Sequence, residues 1–253
     1  MKFKILFFLV FIFVSCSSDD EQEAMNEDNL LLKKMIVTSS DNSVLTYNYE
    51  YNGRKIVKIS LSDGSSTRYY YQGNLIIKVV EYNSTNSNPS SELVNEYDSN
   101  ERIVRTYYTD FLNNVSSETE YSYDQDLVIS YTSNQTNNTN QSTSVYSGFL
   151  YKNAQGEIIQ HERYFEGNLF YIFYFSHDTK NSTFKNVTGF NKLLTTIEIG
   201  KYNNVLGRYD ESMQDDFLEV YTFDYEYNEF NFPVSAVKTH YFSTISTIEY
   251  FYN

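Results

Sequence analysis

The chain has 253 residues, of which 33 are acidic and 19 basic, and its formal net charge is −14. This balance disfavours nucleic acid as a partner, because proteins bind phosphate backbones by neutralising them with Lys and Arg. The single cysteine excludes an intramolecular disulfide, and 26 Tyr with 19 Phe and no Trp favour half-buried strands.

The first fifteen residues have the pattern of a secretory signal peptide. Lys2 and Lys4 provide a positive start, and an apolar run follows from Ile5 to Val14. That run is shorter than the roughly 20 residues that a membrane-spanning helix needs. Residues 1–15 carry no acidic side chain, so their removal would take the net charge from −14 to −16.

The end of this segment resembles the lipobox of bacterial lipoproteins. It reads Phe13-Val14-Ser15-Cys16, with Phe13 where leucine is usual. The resemblance implies cleavage before Cys16 and attachment of acyl chains to it, so the membrane is a predicted partner through a lipid anchor. Buried acyl chains contribute about 0.8 kcal/mol per CH₂, and several of them anchor a protein firmly. The alternative is a plain secretory signal followed by a free cysteine.

Residues 16–33 are predicted to be an acidic, disordered tether, because they hold too little apolar surface to fold. Ser18, Asp19, Asp20 and Glu21 resemble the export signal of Bacteroidetes surface lipoproteins. That resemblance implies an outer-membrane protein, lipid-anchored and exposed at the cell surface. A merely solvated linker, with the domain on the periplasmic face, is the alternative.

Residues 34–253 are predicted to be a single tyrosine-rich, repetitive β domain. A pattern of Tyr-x-Tyr, a short polar turn and an aliphatic run recurs about every 20 to 28 residues, beginning near Tyr47. Turns such as Asn52-Gly53 supply residues that tolerate positive φ, which tight hairpins require. Each repeat is therefore a hairpin, and consecutive hairpins predict an all-β, antiparallel up-and-down meander.

We count about fourteen strands. Sheets of more than about ten strands tend to curl or close, so a curled single sheet or a barrel-like closure is expected, with a two-layer sandwich as the alternative. Alternation in the strand after Gly53 places Ile59 and Leu61 on one face and Ile56 on the other. His177 to Leu194 and Gly200 to Asp216 lack alternation, which predicts a short helix or a crossing loop in these segments.

The repeat resembles the Tyr-Asp repeat of Rhs-like proteins, whose core is Tyr-x-Tyr-Asp-x-x-Gly-x-Leu/Ile. Tyr121 to Leu127 matches this core best, with Asp126 at the glycine position. The tail resembles Bacteroidetes lipoproteins that carry a porin-like domain of unknown function, with Thr183 in place of a usual proline. These resemblances cover most of residues 44–253 and imply a fold more than an activity.

Catalytic chemistry is not predicted. No histidine has the spacing of a metal site. His161 and Glu162 could offer a pair of metal ligands, but adjacent strand residues point to opposite faces. His161 is therefore interpreted as a solvent-facing strand residue. Asp124 and Asp126 lie in a repeat turn, where Asp is favoured for its backbone hydrogen bonds. The sequence therefore predicts no enzyme, no cofactor and no metal.

Four tyrosines are candidate ligand-facing aromatics. Tyr69 and Tyr71 share one face of a strand, as do Tyr121 and Tyr123. Such rings could stack on sugars or on apolar peptide segments; alternatively, they stiffen the sheet through cross-strand pairing.

The leading function is a non-catalytic binding module for a glycan or a protein. The alternatives are an assembly lipoprotein that docks another envelope protein and, third, a glycan hydrolase. A membrane-embedded barrel is disfavoured by Lys58, Lys78 and Arg105 within strands, because a lipid-facing charge at the midplane costs about 2–4 kcal/mol. Those charges could instead line a lumen.

Overall fold

Sixteen antiparallel strands close into a barrel in the computed structural model, which describes residues 27–85, 87–194, 199–212, 218–240 and 243–253. Every strand pairs with its neighbours in the chain, and β1 pairs with β16, so the described sheet has no free edge. The all-β, barrel-like prediction is confirmed, and the two-layer sandwich is wrong. The strands are β1 (Leu32–Ser39), β2 (Val44–Asn52), β3 (Lys55–Leu61), β4 (Ser66–Gln72), β5 (Leu75–Tyr82), β6 (Pro89–Tyr97), β7 (Ile103–Asp110), β8 (Val115–Gln125), β9 (Val128–Asn137), β10 (Ser142–Lys152), β11 (Ile158–Phe165), β12 (Asn168–His177), β13 (Val205–Ser212), β14 (Leu218–Tyr227), β15 (Pro233–His240) and β16 (Ser243–Tyr252).

The sequence repeat corresponds to a hairpin whose second strand begins with a β-bulge. In the first copy Tyr51 pairs with Ile56, whereas Glu50 pairs with Lys58, so Val57 is the extra residue. The bulge turns Ile56 to the inward face of β3, where it is fully buried. The predicted alternation of this strand is therefore wrong at Ile56. Equivalent register shifts occur at the starts of β5, β7, β11 and β15.

The described segment between β12 and β13, residues 178–194 and 199–204, packs into one end of the barrel and is called the plug. It contains a 3-10 helix, Phe190–Lys192, which confirms the short helix predicted between His177 and Leu194. The same prediction for residues 200–216 is wrong where Val205–Ser212 forms β13. The plug and the strand starts form one buried apolar cluster. Its members include Ile56, Ile76, Ile103, Ile129 and Ile158 from the strands, and Phe184, Val187, Phe190, Leu193 and Leu194 from the plug.

The plug docks closely on the turns at this end of the barrel. Thr188 donates its backbone N–H to the carbonyl of Arg54 at 2.9 Å. Gly189 has a φ of 77°, and a Cβ there would lie 2.4 Å from the carbonyl oxygen of Asn74. Glycine is required at this position both by the backbone conformation and by the close approach to the β4–β5 turn.

The chain joins the barrel before residue 34, so the predicted end of the tether lies inside β1. Leu30, Leu31 and Leu32 are buried, and the plug residue Asn186 donates to the carbonyls of Glu27 and Leu30. The three leucines supply the apolar surface that the acidic residues before them lack. The signal segment, Cys16 and the residues from Ser18 to Glu21 lie outside the described residues.

The register assigns each side chain to the lumen or to the outside, because residues paired across antiparallel strands share a face. Tyrosines of the even strands that pack on the apolar cluster mark the inward face. Lys58, Lys78 and Arg105 stand on the opposite face, where their partners in the register include Glu50 and Glu120. These three cations therefore lie on the outer surface and do not line the lumen.

Candidate functional site in the barrel lumen

A cavity of about 560 Å³ lies in the lumen above the plug. Phe184 and Phe190 of the plug lie at its base, and its walls come from β1–β6, β14 and β16. Its volume falls within the 300–1,000 Å³ that is usual for small-molecule sites, and a mostly apolar lining is usual too. The other aromatic side chains that line it are Tyr47, Tyr49, Tyr69, Tyr82, Phe223, Tyr225 and Tyr250.

A second lumen cavity, of about 440 Å³, adjoins the first. The two share Thr67, Tyr69 and Glu81 in their walls. Among the described residues, Glu81 is the only charged side chain that lines either cavity. Besides the shared Thr67 and Tyr69, hydroxyl groups of the second cavity come from Ser91, Thr106, Tyr108, Ser117, Thr119 and Tyr121.

The four tyrosines singled out from the sequence all face the lumen, but only two reach the cavities. Tyr69 lines both cavities and Tyr121 lines the second. Tyr71 and Tyr123 lie nearer the plug and pack on the apolar cluster. The hydroxyl of Tyr123 donates to the carbonyl of Ile103 at 2.7 Å, so this side chain is engaged in holding neighbouring strands together.

A tyrosine near the end of each of β2, β6, β8 and β14 makes a recurring structural contact of this kind. Its hydroxyl donates to a main-chain carbonyl at the start of an earlier strand. A buried hydroxyl without a partner would cost about 1–3 kcal/mol, so each of these bonds favours one register. The pairs are Tyr51 with Leu32, Tyr97 with Ile76, Tyr123 with Ile103 and Tyr225 with Val205, at 2.7 to 3.1 Å.

Cations and aromatic rings alternate along the lumen side of β10–β15. Arg163 lies 4.1 Å from the centre of the Tyr146 ring, and Lys238 lies 4.3 Å from that of Tyr221. Arg208 lies 4.3 Å from the centre of the Phe173 ring and also pairs with Asp210. Cation–π contacts of this sort contribute about 0.5–2 kcal/mol each. Sequence reasoning missed this wall, because only the register shows that these cations point inward.

His161 belongs to the same side of the lumen. Its Nε2 lies 2.8 Å from the hydroxyl of Tyr131. Burial, followed by the positive charges of Arg163 and Arg208, lowers the pKa of His161 to about 4. The ring is therefore neutral at pH 7, and the prediction of a solvent-facing histidine is wrong.

A buried carboxylate holds the end of the plug. Glu157 is 1% exposed and accepts backbone N–H bonds from Lys201, Tyr202 and Asn203 at 2.6 to 3.1 Å. Burial lowers the pKa of the Lys201 ammonium to about 8, against the attraction of Glu157. The imidazole of His177 lies 3.7 Å from the same carboxylate, and burial lowers its pKa as well. The plug is thus attached to the barrel by charge-assisted hydrogen bonds as well as by apolar packing.

Within the described part of the chain, no group of three or more His, Cys, Asp and Glu side chains could hold a metal ion. None of the described helices has the length and apolar character needed to cross a membrane.

No family model matches the chain, and no curated protein matches it. Solved structures do match the chain. A porin-like protein from Bacteroides vulgatus shares 12% identity over 88% of this chain and 98% of its own, with a TM-score of 0.54. The chain has a porin-like fold. A porin-like protein from Bacteroides uniformis shares 11% identity over 88% of this chain and 96% of its own, with a TM-score of 0.47.

Proposed function

We propose that this protein is a lipid-anchored, non-catalytic binding barrel of the outer membrane. In this proposal Cys16 holds the chain to the membrane, the barrel stands in water, and a small ligand enters the lumen from the end opposite the plug. The residues from Ser18 to Glu21 would direct the barrel to the cell surface.

The observation that carries the proposal is the charge on the outer wall of the barrel. Lys58 and Glu50 lie 3.5 Å apart, and Arg105 lies within 3.8 Å of Glu96, Glu118 and Glu120 on the neighbouring strands. In a bilayer each outward Lys or Arg near the midplane would cost about 2–4 kcal/mol. In water these charged side chains stay hydrated and do not incur this desolvation cost. The outer wall therefore favours a barrel that is tethered beside the membrane and not embedded in it.

The plug supports ligand binding over conduction. Its rings form the base of the larger cavity, and the Glu157 carboxylate attaches its last residues to the barrel. A lumen that is filled at one end and holds a mostly apolar cavity favours the binding of a small molecule over its passage through the barrel.

Membrane attachment can be separated from membrane insertion by exchanging the signal. Residues 1–16 are replaced by a secretory signal that lacks a lipid-attachment cysteine, and the chain is fractionated beside the wild type. We expect the exchanged chain in the soluble periplasmic fraction without detergent, and the wild type in the outer-membrane fraction with a palmitate label. Retention of the unlipidated chain in the membrane fraction would show an embedded barrel and overturn the proposal.

A further inference from the structure

Glu81 is a solvent-exposed carboxylate at the junction of the two lumen cavities. It stands on the inward face of β5 between Thr67 on β4 and Ser91 on β6. Ser91 donates its hydroxyl to Oε2 of Glu81 at 2.6 Å. Among the described residues no cationic side chain forms an ion pair with it, whereas Glu50 and Glu92 on the outer wall both pair with lysines.

Aromatic faces with no cation of the chain over them lie in the same cavity wall. Tyr47, Tyr69 and Tyr250 line the cavity with Glu81, and no described Lys or Arg lies over these three rings. On the β10–β15 side the equivalent ring faces are covered by the chain's own cations, Arg163 and Lys238. Among the rings that line the cavity of Glu81, Arg68 lies 5.0 Å from the centre of the Tyr82 ring and Lys238 lies 5.3 Å from that of Phe223. The rings of Tyr47, Tyr69 and Tyr250 are the cavity aromatics that a cationic ligand can cover.

A carboxylate together with aromatic faces recognises an organic ammonium group. The negative ring faces attract the cation, and the Glu81 carboxylate adds the attraction of a full negative charge. The acidic chain as a whole also raises the local concentration of cations. A volume of about 560 Å³ leaves room for an apolar body attached to the ammonium head.

We infer that the lumen cavity beside Glu81 binds an organic cation, an alkyl- or arylammonium compound with an apolar body. This inference rests on the proposed function, because it names the ligand class of the lumen site. The ammonium lies against the Glu81 carboxylate and the Tyr69 ring, and the apolar body extends over the plug residues Phe184 and Phe190.

The test compares two probes of the same shape that differ only in charge. The mature lipoprotein in a nonionic detergent is titrated calorimetrically at pH 6.5 with 4-hydroxyphenyltrimethylammonium and with 4-tert-butylphenol. We expect the cation to bind at least about tenfold more tightly than the neutral probe. Sodium chloride should weaken the binding of the cationic probe and leave the binding of the neutral probe unchanged.

Glu81→Gln should abolish the preference for the cation and leave the affinity for the neutral probe unchanged. Asp110→Asn is the matched control, because Asp110 is the inward carboxylate on the other side of Ser91. It already accepts the backbone N–H groups of Leu112 and Asn113, both at 2.9 Å. This variant should keep the preference.

Four results would overturn the inference. Equal binding of both probes would leave a lumen site without a cation preference, and the proposed function would stand. If neither probe binds, both this inference and the proposed ligand-binding role of the lumen are overturned. Tightest binding of an anionic third probe, 4-tert-butylbenzoate, would assign the ligand to the side that carries Arg163 and Lys238. A preference that survives Glu81→Gln would place the cation elsewhere.

Discussion

At the scale of single residues, the tyrosines of the repeat divide into two kinds by their depth in the barrel. Those farther from the plug, such as Tyr69 and Tyr121, line the cavities. Those beside the plug, such as Tyr97 and Tyr123, donate hydroxyl hydrogen bonds to strand carbonyls. The sequence predicts that both kinds share one face of a strand, because alternation depends only on spacing. It cannot separate them, because depth in the barrel depends on the plug.

His161 should make the stability of the barrel fall in mild acid. Its pKa is about 4 in the folded chain and about 6.5 when unfolded, so the unfolded state binds more protons between these values and is favoured as pH falls. The full shift corresponds to roughly 3 kcal/mol. The free energy of unfolding, measured in urea at pH 7 and pH 4.5, should depend less on pH in His161→Gln.

The control for this measurement is Tyr131→Phe, which removes the hydrogen bond and keeps the imidazole. It should lower the free energy of unfolding at both pH values and keep the wild-type slope of stability against pH. His177, whose pKa is also lowered by burial, should account for part of the slope that remains. Identical slopes in the wild type and His161→Gln would show that His161 does not titrate in this range.

At the scale of elements, the repeated unit is a bulged hairpin, and the bulge determines which aliphatic residue becomes buried. In β3 the sequence places Ile56 and Ile59 on opposite faces, yet both pack on the apolar cluster. The bulge at Val57 adds one residue and reverses the alternation. Hairpins could be predicted because turn residues and aliphatic runs are local signals. The bulge could not, because it is a property of the pairing between two strands.

The attachment of the plug can be tested at Glu157. Glu157→Gln removes the negative charge and directs an amide NH₂ toward backbone donors, so the charge-assisted bonds to Lys201, Tyr202 and Asn203 weaken. Hydrogen exchange at these three amides should become about 10- to 100-fold faster. Glu162→Gln, an acid-to-amide change within β11, serves as the control and should leave these amides protected. Unchanged exchange in Glu157→Gln would mean that apolar packing alone holds the plug.

At the scale of the whole molecule, the barrel carries many of its tyrosines inside and ion pairs such as Lys58–Glu50 outside. Phe149 and Phe251 are exposed on the outer face, and Arg163 and Lys238 face the lumen. Transmembrane barrels carry an apolar outer band and a polar interior. The porin-like fold and this distribution of side chains are compatible, because the backbone closure depends on strand number and pairing and leaves open which face is apolar.

The tyrosine-rich interior should limit stability in alkali. Burial raises the pKa of Tyr69, Tyr121, Tyr131 and Tyr250 above the ordinary value of 10. Above pH 10 the unfolded chain loses these protons first, so stability falls as pH rises. Absorbance at 295 nm should show these lumen tyrosines ionising above pH 10, together with the loss of β-sheet circular dichroism. Ionisation of all the tyrosines as one group near pH 10, with the sheet intact, would contradict the buried positions of these rings.

The sequence by itself determined that the described domain is an all-β meander of hairpins, because strand alternation, turn residues and repeat length are properties of short stretches of chain. The tertiary structure decided which face is the lumen, how many strands close it and what fills its end. Those features depend on the register of sixteen strands and on a plug that meets strands far from it in sequence. Glu81 illustrates the division: its residue type is local information, but its place among tyrosines from β2, β4 and β16 exists only after the barrel has closed.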